Sequence, residues 1–478
     1  MTDRDPQGDT PSSQGLEERG NGFLDQMRQA NENAGRNRAA RLSRQPQQPA
    51  RQRLRFDALP EYQRVDAQRK IGDVIGVENP FYRSHDEAAG ATTVMAGKTY
   101  ANFASYDYLG TNTHPRVAEQ AKVAIDRFGI SASASRVVAG ERPVHTDLEQ
   151  ALADVYGVEA AVCFVSGYLT NVAAISCLVG PQDLVVHDEF IHNSALSGIK
   201  QSGATRRLFR HNDIANLDTV LRTLEGNFRR VLVIVEGVYS MDGDIADLPA
   251  LLELRDRHGF WLMVDEAHSL GVLGKTGRGS FEHFDIDPRE IDIWMGTLSK
   301  TTSSCGGYIA GSRALSDILK ADAGGFVYSV GLAPVLAAAA ATSLEIVRAE
   351  PERTERLHRN GALFLQCAKE AGLDTGLSLG FSVVPVIVGD SLRAVQLSNE
   401  LLEEGVNALP IIHPAVPEGM ARLRFFITCD HTEEQIRHAV EATARKLAAL
   451  EQRNFGLASL DLEKMMQLAP LLQASEKS

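Results

Sequence analysis

Between about residues 115 and 350, short apolar runs alternate with helical stretches, and this alternation constrains the fold more than any other feature of the chain. The runs "AAVCFVSG", "DLVVHD", "RRVLVIVEG", "FWLMVDEAH" and "IDIWMGTLSK" each end in polar or glycine-rich residues. Strands that are apolar throughout belong in a parallel or mostly parallel sheet covered by helices on both faces. Ligands of such sheets collect outside the carboxyl ends of the strands. From about residue 350 the pattern changes. A charged helix, "EPERTERLHRNGALFLQCAKEAG", leads to "FSVVPVIVGD", another helix, and "ARLRFFITCDHTEEQIRHAVEATARKLAAL". That succession reads as a smaller α+β domain.

The expected organisation is a basic arm over residues 1–55 and an N-terminal segment over 56–114. A large domain over 115–345 and a small one over 346–450 follow, and a tail helix over 451–478 ends the chain. The 478 residues suffice for such a multidomain core, and 44% hydrophobic content with 40 glycines fits an ordinary soluble α/β protein. No apolar run approaches bilayer-spanning length, and "MTDRDPQGDTPSSQG" has neither the basic start nor the apolar stretch of a signal peptide. Five cysteines lie far apart without a CxxC pair, which suits buried thiols in a reducing cytoplasm.

The net charge of −13 argues against general nucleic-acid binding. Charge is unevenly spread, however, and residues 28–55 hold eight arginines and one acid, Glu32. Few aromatics and many Gln, Asn and Pro residues make residues 1–55 read as disordered. The arm is either a solvated tail or a docking segment for an acidic partner or membrane surface.

At the strand ends a constellation appears. "VDEAH" offers Asp265 and His268, the next strand leads to Lys300, "EGVYSMDGD" leads to Ser240, and "FVSGYLTN" leads to Gly167 and Tyr168. Lys300 stands in "GTLSKTTSSCGGYIAGS", a lone amine among glycines and hydroxyls. Lysine with aspartate makes sense for pyridoxal 5′-phosphate (PLP). The amine forms a Schiff base with the aldehyde, and the aspartate keeps the pyridine nitrogen protonated so that the ring accepts electrons. A glycine-rich turn at a helix N-terminus presents N–H groups to the phosphate, with Thr297 and Ser299 adding hydroxyls. Gly306 and Gly307 permit close backbone approach. A metal site built from His187, His192 and His268 lacks any HxH or HExxH spacing, so no metal is expected. "GVLGKTG" fails as a phosphate loop because Ser269 stands where the first glycine belongs.

Residues 79–447 resemble the α-oxoamine synthases, fold-type I PLP enzymes that include serine palmitoyltransferase and 8-amino-7-oxononanoate synthase. "NFASYDYLG", "GERPVHTDLEQALADVYG", "HNSALSG", "EGVYSMDGDIADLP", "VDEAHSLGVLGKTGRG" and "GTLSKTTSSCGGYIAG" carry the resemblance. "SYDYLG" and "SKTTSSCGGYIAG" look most like serine palmitoyltransferase and synthases of polyketide-type pathways. The resemblance implies decarboxylative condensation of serine, alanine or glycine with an acyl thioester, delivered by CoA or an acyl carrier protein. It also implies a homodimer. An aminotransferase or an inactive partner subunit is the alternative, and the presence of Lys300 speaks against the second.

The resemblance further implies roles for single residues. Lys300 is the Schiff-base lysine, Asp265 pairs with the pyridine nitrogen, and His192 stacks on the ring. Ser240 and His268 bind the phenolic oxygen, while Gly167, Tyr168, Thr297 and Ser299 hold the phosphate. Arg424 meets the amino-acid carboxylate, and Tyr106 belongs to the substrate pocket. Three departures stand out. Tyr106 replaces the Asn of "SNDYLG", which counts against pimeloyl chemistry. Ile412 stands where bacterial serine palmitoyltransferase has a mobile-loop arginine. Val330 and Gly331 replace a Thr/Ser pair, which leaves backbone or Ser329 to make a cross-subunit phosphate contact.

Overall fold

The computed structural model describes residues 54–457. The basic arm, save residues 54 and 55, and the tail helix beyond residue 457 lie outside the described residues. Two compact units divide the chain, one ending at Gln68 and one beginning at Arg69. The first contains the turn Phe56–Ala58 and the start of helix Pro60–Ile75.

The second unit opens with a hairpin of β1 (Thr92–Met95) and β2 (Lys98–Asn102), paired antiparallel. Its two turn residues, Ala96 and Gly97, have φ of 49° and 71°, as a tight hairpin turn matched to strand twist requires. Next come β3 (Ala160–Phe164), β4 (Leu184–Asp188), β5 (Thr205–Phe209) and β6 (Val231–Glu236). Strands β7 (Trp261–Asp265), β8 (Ile293–Thr297) and β9 (Gly307–Gly311) complete a seven-stranded sheet in the order β3–β9–β8–β7–β6–β4–β5. Only β9 runs antiparallel to its neighbours. The reason for the continuous apolar runs is visible in β6 and β7. Val233, Val235, Leu262 and Val264 enter one core, while Leu232, Ile234 and Met263 enter the core on the opposite face. A sheet buried on both sides leaves no position for alternating polar residues. This is the mostly parallel α/β architecture expected from the sequence.

Toward the C-terminus lie β10 (Val383–Gly389), β11 (Val406–Asn407), β12 (Leu409–Ile411) and β13 (Ala421–Phe426). β13 sits between β10 and β12, antiparallel to both. β11 instead pairs parallel with β2, so the N-terminal hairpin shares a sheet with the C-terminal part of the chain. Phe103, Tyr108 and Leu109 join Phe364, Leu423 and Phe425 in one core there. Leu423 and Phe425 point into that core, and strand alternation therefore sends Arg422 and Arg424 to the other face. Arg422 pairs with Asp242 at 2.5 Å, and Arg424 Nη1 donates to the Ser240 carbonyl at 2.8 Å. No helix among the described residues is long and apolar enough to cross a membrane.

Candidate active site

The strands stop earlier than their motifs suggest. β6 ends at Glu236, β8 at Thr297 and β3 at Phe164, so Ser240, Lys300 and Gly167 sit in the loops and helix start that follow. Asp265 is itself the last residue of β7 and is buried. Asn171 Nδ2 donates to its Oδ2 at 3.0 Å and the Ala267 N–H to its Oδ1 at 3.0 Å. One donor on each oxygen orients the carboxylate.

Lys300 follows β8 by three residues. Burial pushes its amine below the ordinary lysine value, against the charges of Asp265 and Glu236, which raise it. Its Nζ lies 5.7 Å from the centroid of the Tyr106 ring. Tyr106 stands edge-on to Phe426 at 4.7 Å and to His268 at 6.1 Å. His268 is buried with Nδ1 2.6 Å from the Tyr108 hydroxyl. Burial pushes its imidazole well below the usual value, and the nearby Lys300 and Arg424 cations add to the effect. With Tyr108 donating to Nδ1, the His268 proton resides on Nε2.

His192 caps helix Asn193–Ser202, and its Nδ1 accepts the Ser194 N–H at 3.3 Å. That bond leaves Nδ1 without a proton and fixes the ring's orientation. Ser240 donates its N–H to Glu236 Oε2 at 3.3 Å while its carbonyl holds Arg424. Arg424 Nε is buried without a partner.

Gly167 begins helix Gly167–Leu178, whose N-cap, Ser166, makes no side-chain capping bond. The first amides of that helix are therefore open to an anion. A Cβ on Gly167 would lie 2.7 Å from Thr297 Oγ1, and one on Gly307 would lie 2.5 Å from Thr170 Oγ1. Only glycine permits this packing. Thr297 Oγ1 lies 2.8 Å from Ser299 Oγ. The Tyr168 hydroxyl lies 2.7 Å from Ser197 Oγ and 3.2 Å from Asn193 Oδ1.

Two residues that the motifs did not single out belong to the centre. Asn171 lies one helical turn beyond Gly167, a spacing that puts both on the same face and signals the contact with Asp265. Glu236 is the last residue of β6, and its Oε1 is buried without a partner. Burial first, and Asp265 second, push its carboxyl up to about 8. His187, by contrast, is a buried residue whose Nδ1 bonds the Asp188 carbonyl at 2.6 Å. Among the described residues no group of three His, Cys, Asp or Glu could hold a metal ion. The expectation of buried thiols fails at Cys305, which is exposed because it occupies the turn after Lys300.

The orphaned polar atoms, the glycine cradle and the open helix start fit PLP. Residues 98–442 match the family described as aminotransferase class I and II. The 8-amino-7-oxononanoate synthase of Symbiobacterium thermophilum is 43% identical over 353 residues, 74% of this chain and 90% of that protein. The enzyme of the same name from Treponema denticola is 38% identical over 351 residues, 73% of this chain and 88% of its own length. Among solved structures, Sphingomonas wittichii serine palmitoyltransferase shares 30% identity at a TM-score of 0.79, covering 84% of this chain and 100% of that one. A serine palmitoyltransferase solved with PLP gives 31% identity and 0.79, over 83% and 99% of the two chains.

Fold and site thus define a PLP-dependent enzyme of fold type I. The chain belongs to the aminotransferase class I and II family and, within it, to the acyl-transferring α-oxoamine synthases.

Proposed function

We propose that this enzyme condenses serine, alanine or glycine with an acyl thioester, releasing CO2 and the free thiol carrier and leaving an α-amino ketone. The observation that carries the reading is the half-buried Lys300, whose amine is held below its ordinary value beside Asp265 and Glu236, with the unpaired Nε of Arg424 in the same site. When bound, PLP supplies the sink for the electron pair left at the amino-acid α carbon.

The chain's own residues do the rest. Lys300 attaches the cofactor and then moves the α proton, a task suited to an amine whose pKa burial has lowered. Asp265, oriented by Asn171 and Ala267, would hold the ring nitrogen. His192 would stack on the ring, and His268 and Ser240 would bind the phenolic oxygen. The helix start at Gly167 and Tyr168, with Thr297 and Ser299, would hold the phosphate. Arg424 takes the carboxylate that leaves as CO2, and the Tyr106 ring borders the amine.

We extend the reading to a homodimer in which residues 327–334 of one subunit approach the phosphate of the other. Tyr328 and Val330 are 89% and 50% exposed in the single chain, which supports an interface there. The basic arm steers an acyl carrier protein by its charge. Deleting residues 1–55 then slows only carrier-bound thioester, and added salt slows the full-length enzyme in the same way. The decisive experiment is a panel of acyl-CoA and acyl-carrier thioesters with serine, alanine and glycine, read by product mass. An amino ketone with loss of CO2 supports the function. Turnover with a keto acid and no thioester rejects it.

A further inference from the structure

Both ring nitrogens of His211, a residue outside every motif that carries the family resemblance, face carboxylates. Nδ1 lies 2.9 Å from Asp188 Oδ1, and Nε2 lies 2.8 Å from Asp244 Oδ2. A neutral imidazole has one N–H and one lone pair, so it would turn a lone pair toward one of the two anions. The geometry calls for the imidazolium. Burial opposes that charge, but the hydrogen bonds to Asp188 and Asp244 outweigh it and raise His211 to about 10. The ring is packed between Phe190, at 4.5 Å and 34°, and the edge of Tyr239, at 4.5 Å and 89°.

The two carboxylates belong to different loops of the site. Asp188 ends β4, and its oxygens also accept the Phe190 and Asn212 N–H groups, each at 2.9 Å. Four residues on, His192 caps its helix. Asp244 closes the loop after β6: its carbonyl accepts the Tyr239 N–H at 2.9 Å, and its Oδ2 accepts Asn212 Nδ2 at 2.7 Å. That loop carries Ser240, which holds Arg424, and Asp242, which holds Arg422. Glu236, the last residue of β6, is tied to the same loop because its Oε2 accepts the Ser240 N–H at 3.3 Å.

We propose that His211 is a positioning residue for the condensation: a charged bridge that locks the His192 loop to the loop bearing Ser240, whose carbonyl holds Arg424 of β13. The inference rests on the function proposed above. The cofactor's covalent and phosphate anchors lie on other elements, so a broken bridge spares PLP retention. What it disturbs is the register between the ring-covering imidazole and the carboxylate-binding guanidinium, and hence amino-acid binding.

The test is spectral titration of the PLP-loaded enzyme with serine, alanine and glycine, alongside KM and kcat for each substrate. The variants are His211→Gln, His211→Arg and Asp244→Asn. Arginine keeps the charge and donates to both carboxylates. Asp244→Asn keeps the Asp188–His211 pair and decides the matter where His211→Gln fails to fold. His211→Gln and Asp244→Asn are expected to retain PLP and to raise the amino-acid dissociation constant and KM about tenfold or more, the scale of one charged hydrogen bond. Thioester KM should change less, and His211→Arg should recover most of the loss. Amino-acid dissociation constants within about twofold of wild type in Asp244→Asn and every folded variant would overturn the proposal. So would lowered melting temperature as the only defect, or failure of arginine to do better than glutamine. A wild-type enzyme whose spectrum answers no amino acid overturns the functional reading and this inference together. A responsive wild type with unchanged variants overturns this inference alone.

Discussion

Glu236 and Asp265 stand in register at the C-terminal ends of β6 and β7, two acids on adjacent parallel strands inside one buried site. Like charges so placed resist joint ionisation. Donors from Asn171 and Ala267 hold the Asp265 carboxylate, whereas Glu236 keeps a buried oxygen without a partner and takes the proton. The division of labour follows first from the burial of Glu236 and then from Asp265, which has a donor on each oxygen where Glu236 has one on Oε2 alone.

That pair makes the stability of the cofactor-free protein depend on pH. Between the ordinary carboxylate value of 4.5 and about 8, the folded chain holds a proton on Glu236 that the unfolded chain has released. Stability contributed by this group is therefore lost as pH rises through the window. Urea midpoints should fall as pH rises from about 4.5 to about 8, and the fall should shrink in Glu236→Gln. An identical pH slope in the two proteins would show that Glu236 titrates normally.

Asp265→Asn removes the anion opposite the ring nitrogen, and kcat/KM should drop by about a hundredfold or more while PLP still binds. Asn171→Ala removes only one donor to that anion. A hydrogen bond to a charged group is worth about 1.5–3 kcal/mol, so a loss of about 10- to 100-fold is expected. PLP content by absorbance separates lost chemistry from lost cofactor. Wild-type turnover in Asn171→Ala would show that Ala267 alone orients the carboxylate.

Lys300→Ala should bind PLP without covalent linkage and lose turnover. In the wild type, borohydride should abolish the visible band and leave the label on Lys300, as peptide mass mapping would reveal. Recovery of the label on Lys275, which lies in the "GVLGKTG" turn, would contradict the assignment.

Gly167→Ala places a Cβ 2.7 Å from Thr297 Oγ1. Thr297 must rotate, which breaks its 2.8 Å contact with Ser299 Oγ and crowds the phosphate cradle. The PLP dissociation constant, followed by fluorescence, should rise about tenfold with little change in circular dichroism. Unaltered PLP affinity would place the phosphate elsewhere.

The sequence by itself determined the mostly parallel sheet, because runs such as "VLVIVE" and "WLMVD" are legible only as strands buried on both faces. It also determined the chemical inventory around Lys300 and Asp265, because strand ends concentrate function and their motifs are local. Tertiary structure decided what no local pattern encodes. Arg424 reaches Ser240 across 184 positions, and the hairpin at residues 92–102 joins a sheet completed by Val406 and Asn407. The proton on Glu236 comes from burial beside Asp265, and the charge on His211 comes from two carboxylates that separate loops bring to it. Periodicity records which face of an element is covered. Charge state and side-chain partners depend on what the rest of the chain packs against that face, and the fold alone supplies this.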